Sequence, residues 1–277
     1  MSKSRRGGAG APPSAASALM FGPRPGTGAH SPAAQLQQAV TLLRQGQSSQ
    51  AEALLRALQH HEAARFDALH LLGLLHLQRK DATEALRFLE QADQLRPGLA
   101  PLLNNMGIAL RELGRPQDAL ACYERALASQ PDYVEALVNR GNAQRELGQP
   151  EAALDSYASA LARQPGHPQA LHNQAVALRG LGRPQEALTA VRQALAGRPD
   201  YAEAQLTLGL LLHDLQQAGE ALAAYDRALA LRPDHAETLN ARGSALEELQ
   251  RPAEALACYD QALRLAPDLP DALANRA

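Results

Sequence analysis

Between residues 100 and 133, apolar side chains fall in two runs of helical spacing. Leu103, Met106, Gly107 and Leu110 share one helix face, and Ala119, Leu120, Tyr123, Ala126 and Leu127 share another. Gly114 and Pro116 stand between the runs, and Pro131 follows the second. Glycine tolerates the left-handed conformation in which helices often end. Proline suits a first helical turn, where its missing N–H costs nothing. The pattern predicts helix, turn, helix, turn, with helices of about 12–14 residues.

The same pattern returns every 34 residues. Pro97, Pro131, Pro165, Pro199, Pro233 and Pro267 keep that step. So do Gly73, Gly107, Gly141, Gly209 and Gly243, with Ala175 in the missing place. Ala85, Ala119, Ala153, Ala187, Ala221 and Ala255 form a third row, and Ala92, Ala126, Ala160, Ala194, Ala228 and Ala262 a fourth. Self-similarity at a fixed period marks a repeat architecture, so copy number and not one central core sizes the protein. Full repeats are expected at 66–99, 100–133, 134–167, 168–201, 202–235 and 236–269, with a truncated repeat at 270–277. Small residues mark places where helices approach closely; Leu103, Leu120 and Tyr123 fill the spaces between. Asp132 with Glu135, Asp200 with Glu203 and Asp234 with Glu237 resemble capping boxes.

Outside the full repeats the pattern loosens. Residues 1–31 are rich in Gly, Pro, Ala and Ser, cannot bury enough apolar surface to order themselves, and read as a disordered leader. An atypical opening repeat spans 32–65; it is two residues short near His60–Ala64. At the other end, the last repeat would leave Leu256, Tyr259 and Leu263 only partly covered. The chain therefore reads as part of a longer protein, with an uncapped C-terminal repeat that would favour end-to-end self-association.

Composition narrows the classes. The net charge of −2 lacks the basic stripe that nucleic acid requires, so no nucleic-acid partner is expected. All cations but Lys3 and Lys80 are Arg, which reads as coding bias in a GC-rich bacterium. There is no apolar run long enough to cross a membrane and no convincing signal peptide, so a cytoplasmic location without a membrane partner is expected. Cys122 and Cys258 share one position four repeats apart, too far for a disulfide, and read as apolar fillers on second helices. The histidines are scattered, and no nucleophile–base set, phosphate loop or HExxH motif occurs. The expectation is no catalytic residue, no metal and no cofactor.

These rows resemble the tetratricopeptide repeat (TPR), whose pattern runs Leu, small and aliphatic or aromatic in helix A, then Ala, aromatic, Ala and Pro in helix B. The likeness covers about residues 32–277. An aromatic residue near the start of each repeat is missing: Leu69, Leu103, Leu137 and Leu171 stand there. The resemblance implies an all-α, right-handed α-solenoid of helix–turn–helix repeats. Its A helices would line a concave groove for extended peptides or partner helices. Numbering slots from Phe66, Ala100, Val134 and their equivalents, the family geometry puts slots 2, 5, 6, 9, 12 and 13 on that inner face.

Slot 6 carries Asn105, Asn139 and Asn173 in consecutive repeats, with Asn104 and Asn142 nearby. An amide both donates and accepts, so such a ladder could hold a peptide backbone without reading its sequence; the alternative is ordinary polar surface. Slot 12 carries Arg111, Arg145 and Arg179. These could meet the carboxylates of an acidic partner or pair with Glu112, Glu146 and other acids of the chain itself. At slot 2, Glu135, Glu203 and Glu237 read as capping groups. No Lys occurs in helix A of any full repeat, which departs from the carboxylate clamp of chaperone-binding relatives. The asparagine ladder and the opening from Asp67 to Gln78 also resemble the superhelix of bacterial O-GlcNAc-transferase-like proteins. Three readings stay open: a scaffold that binds a protein or peptide segment, the substrate-presenting arm of a glycosyltransferase, and a structural spacer.

Overall fold

The computed structural model describes residues 31–276; the expected leader, apart from Ser31, lies outside the described residues. They form helices only: α1 (Pro32–Arg44), α2 (Ser48–Leu58), α3 (Glu62–Gln78), α4 (Ala82–Leu95), α5 (Ala100–Glu112), α6 (Pro116–Ser129), α7 (Val134–Glu146), α8 (Pro150–Arg163), α9 (Pro168–Gly180), α10 (Pro184–Gly197), α11 (Ala202–Asp214), α12 (Ala218–Leu231), α13 (Ala236–Glu248), α14 (Pro252–Leu265) and α15 (Pro270–Arg276). The class is the expected all-α solenoid of helix pairs. From α5 onward, successive A helices start 34 residues apart, as do successive B helices from α4. The described residues divide into two compact bodies, residues 31–149 and 150–276. In the N-terminal body α1 packs on α2, α3 on α4 and α5 on α6, and each pair packs on the next, ending with α7. The C-terminal body begins with α8 against α9 and continues through the pairs α9–α10, α11–α12 and α13–α14 to α15.

Each A-to-B turn is made the same way. After α5, the Arg115 N–H bonds the Leu110 carbonyl at 2.9 Å and the Gly114 N–H bonds that of Arg111 at 2.9 Å. This double closure requires a left-handed residue after the helix. Gly114, Gly148 and Gly182 supply it at φ +72°, +75° and +70°; Lys80, Gln216 and Gln250 hold the same slot at φ 60°, 60° and 59° despite their side chains.

Within a pair, glycine lets the helices touch. A Cβ added at Gly107 would lie 2.4 Å from the Tyr123 ring, one at Gly209 2.4 Å from Tyr225, and one at Gly243 2.3 Å from Tyr259. The four tyrosines of this row, Tyr123, Tyr157, Tyr225 and Tyr259, are among the largest fully buried side chains. Tyr259 therefore departs from the expectation of partial cover, because its ring is shielded within its own helix pair. Leu256 meets that expectation at 48% exposure. Both cysteines are free and buried, on α6 and α14.

The helix starts differ from the predicted capping boxes. Tyr133, Tyr201 and His235 are the N-caps of α7, α11 and α13, so the preceding aspartates sit one residue too early to cap. Imidazoles cap two A helices instead: His167 Nδ1 accepts from the Ala170 N–H at 3.2 Å and His235 Nδ1 from that of Thr238 at 3.3 Å. Glu203 pairs with Arg232 at 2.5 Å. The B helices share a further device: Arg115 grips Asp118, Arg183 grips Glu186 and Arg251 grips Glu254, each at 2.7 Å across the first turn. The opening repeat does not have the expected two-residue deficit: α2 starts at Ser48, 34 residues before α4 at Ala82, the left-handed turn residue Gly46 stands 34 before Lys80, and fully buried Ala51 keeps the row of Ala85. Helix α3 starts early and is 17 residues long against 13 for α5.

Two outcomes follow for urea and thermal melts followed by circular dichroism. Gly107→Ala should destabilise the fold by about 1–3 kcal/mol, because the added methyl meets a ring backed by rigid packing. Gln216→Gly should stabilise it by ~0.5–1 kcal/mol, because it relieves a left-handed side-chain residue.

Candidate functional site

The sequence-predicted residues lie on A helices: on α5 and α7 in the N-terminal body and on α9 in the C-terminal body. Adjacent A helices are linked by hydrogen bonds at a step of 35 residues, joining slot 5 of one repeat to slot 6 of the next. His70 Nε2 meets Asn105 Nδ2 at 3.3 Å, and Asn139 Nδ2 donates to Asn104 Oδ1 at 2.9 Å. In the C-terminal body His172 Nε2 meets Thr207 Oγ1 at 3.0 Å, and Asn275 Nδ2 donates to Asn240 Oδ1 at 3.1 Å. His172 Nδ1 also lies 3.2 Å from the Tyr201 hydroxyl.

These links decide how much of the asparagine ladder is on offer. Asn104, Asn105, Asn139 and Asn142 are 2%, 3%, 8% and 3% exposed. Asn173, in the C-terminal body, is half-buried. An amide that gives one N–H to a neighbour keeps a second N–H and carbonyl capacity, but at the four most buried positions little of it reaches the surface. Burial also explains the bonding: a buried amide without a partner costs about 1–3 kcal/mol.

The arginine row obeys the same step of 35, from slot 12 to slot 13. Arg111 Nε and Nη2 grip Glu146 at 3.1 Å, with side-chain exposures of 12% and 29%. Arg179 Nε donates to Asp214 at 2.6 Å and Nη2 at 3.1 Å. His213 Nε2 lies 2.9 Å from Glu248. Arg145 enters no ion pair among the described residues, and its Nε is buried without a hydrogen-bond partner. At slot 12 of the last full repeat, Glu247 accepts from the Tyr259 hydroxyl at 2.9 Å. Burial raises that phenol to about 12.

Among the partners of these rows, sequence reading missed His70 and His172 at slot 5 and Asp214 at slot 13. Complementary residue types at a step of 35 were their signal. Sequence reading placed slot 9 on the inner face but did not single out its apolar members. Ile108 on α5, and Val176 and Leu210 on α9 and α11, are half-buried there and add apolar surface beside the polar rows. Among the described residues no group of three or more His, Cys, Asp or Glu could hold a metal ion. No described helix is long and apolar enough to cross a membrane.

Slot by slot, this is TPR geometry, and the comparison with known families agrees. The tetratricopeptide repeat family model matches residues 104–168, 172–236 and 206–270. Further tetratricopeptide repeat models match 65–132 and 32–57. The chain belongs to the tetratricopeptide repeat family. The family match carries no indication of the transferase-like subgroup. A search of curated proteins found no match. Among solved structures, a thermophilic TPR protein in Thermus thermophilus is 31% identical at a TM-score of 0.54, over 64% of this chain and 96% of its own. The pilF protein of Pseudomonas aeruginosa is 21% identical at a TM-score of 0.67, over 76% of this chain and 95% of its own. YrrB, described as a TPR protein with an unusual peptide-binding site, is 22% identical at a TM-score of 0.53, over 67% of this chain and 96% of its own.

The buried links make this TPR face sensitive to acid. Burial holds His70 down at about 4, below its ordinary 6.5, so it folds neutral. The unfolded chain then binds the extra proton, and stability present above pH 6.5 is lost as the pH falls from 6.5 towards 4. His70→Gln should flatten that part of the stability profile, read as the urea midpoint at steps between pH 7 and pH 4.

Proposed function

We propose that this TPR chain is a protein-interaction scaffold whose A helices bind an extended peptide or a protein segment. The observation that supports this most directly is the residue mix on α5, α9 and α11. Half-buried apolar side chains at slot 9 (Ile108, Val176, Leu210) run beside fixed polar rows at slots 6 and 12. Extended chains present alternating side chains and a regular backbone, so recognition needs apolar footholds and polar groups at constant pitch. The hydrogen bonds at a step of 35 hold the polar rows in place before a ligand arrives, which lowers the ordering cost of binding. The half-buried slot-6 amide of Asn173 would meet backbone groups, and an arginine of slot 12 an acidic side chain. YrrB's described peptide-binding site supports a peptide as the kind of ligand such a solenoid can take.

The test uses the full chain as bait, with cross-linking mass spectrometry to map captured segments and fluorescence polarisation to measure them. Ile108→Glu in the N-terminal body, or Leu210→Glu in the C-terminal body, should weaken a mapped partner by tenfold or more at unchanged helicity, about 1.4 kcal/mol. Replacing Asn105, Asn139 and Asn173 together by Ala should weaken it further. Cross-links confined to B helices, with affinities untouched by these changes, would sink the reading.

A further inference from the structure

We infer that Arg145 is a carboxylate receptor for an Asp or Glu side chain of a bound peptide. The inference rests on the reading that the A helices hold an extended segment, and it names the chemistry of that segment. Two of the three slot-12 arginines are neutralised within the protein, Arg111 by Glu146 and Arg179 by Asp214, and His213 in the same slot lies 2.9 Å from Glu248. All three acids stand 35 residues beyond their slot-12 partner. In sequence, the residue 35 positions beyond Arg145 is Gly180, which has no carboxylate. The adjacent acid, Glu146, is already held by Arg111 through both Nε and Nη2. Arg145 is half-buried on the last turn of α7, enters no ion pair among the described residues, and keeps its Nε out of water without a partner.

A guanidinium is always charged and presents its donors in a planar fork matched to a carboxylate. Leaving part of that fork desolvated and unbonded is unfavourable, and native proteins seldom keep such a group. An incoming carboxylate can pair the Arg145 charge directly, whereas at Arg111 or Arg179 it would have to displace one already bound. Of the three arginines in the row, this selects Arg145. A single arginine in a chain of net charge −2 suits one carboxylate better than a phosphorylated segment, which calls for an arginine cluster.

The probes are two N-acetylated, C-amidated octapeptides, one alternating leucine and glutamate and the other alternating leucine and glutamine, titrated into the full chain by calorimetry. The wild type should bind the glutamate peptide about tenfold more tightly, and that preference should fall with added salt. Arg145→Gln should abolish the preference without changing affinity for the glutamine peptide, and Arg145→Lys should keep part of it. Arg192→Gln removes the same charge at an exposed position of α10 and should keep the preference in full. Equal wild-type affinities, a preference that survives Arg145→Gln, or one lost equally in Arg192→Gln overturns the inference and leaves the groove reading standing. If the wild type binds neither peptide, both fall.

Discussion

A large side chain, most often a tyrosine ring, lying against a glycine backbone is the contact on which most of the helix pairs depend. At Gly107, Gly209 and Gly243 there is no room for even one methyl group beside the ring of the facing helix. The approach sets the separation of helices A and B, and through it where every other A-helix side chain points. Two full repeats lack the tyrosine: at 66–99 Leu89 stands there, 2.6 Å from a Cβ added at Gly73, and the repeat at 168–201 supports the contact from the opposite side. There the B-helix residue is Val191, and the A-helix residue is Ala175 in place of glycine; both are fully buried. The smaller side chain on one helix goes with the larger on the other, as steric matching requires.

Between repeats the currency changes from packing to hydrogen bonds and charge. A-helix neighbours meet with an offset of one slot, so a polar residue at slot 5 or 12 finds its partner 35 residues on. This links sequence to function by subtraction. Side chains that serve the links, such as Asn104 and Arg111, are consumed by the fold; those that do not, such as Ile108 and Arg145, are the ones the proposed binding role draws on. The links also explain how amides and imidazoles can lie inside a helical array. Buried Asn104, Asn105, Asn139 and His172 each have a partner, and half-buried His70 is held neutral beside Asn105.

Much of the fold was legible because the period repeats each local signal. Gly107, Tyr123, Ala126 and Pro131 recur in phase, and both the helix boundaries and the tight contact follow from them. The turn slot was legible where it holds Gly114 but not where it holds Lys80 or Gln250, since the tertiary frame imposes a left-handed conformation that those residues do not advertise. The capping boxes at Asp132, Asp200 and Asp234 misled by one position, because the helix begins after the following Tyr or His. For the site, residue types were legible and their availability was not. Asn105, Asn139 and Arg111 stand at the slots read from the sequence, yet their exposure depends on what the neighbouring repeat places one slot further on, which within-repeat spacing does not register.

Because every link is defined by a step and not by a place, the array can be edited in whole repeats. Excising 202–235 would bring Glu248 to the position Asp214 holds beside Arg179, and the charge would stay balanced. The same excision would bring Ala241 to the place of Thr207, and His172 would lose a partner. Duplication and loss of repeats therefore leave the backbone design intact while reshuffling which polar side chains are satisfied and which are set free. A lineage can in this way change the recognition chemistry of its binding face without a single point mutation.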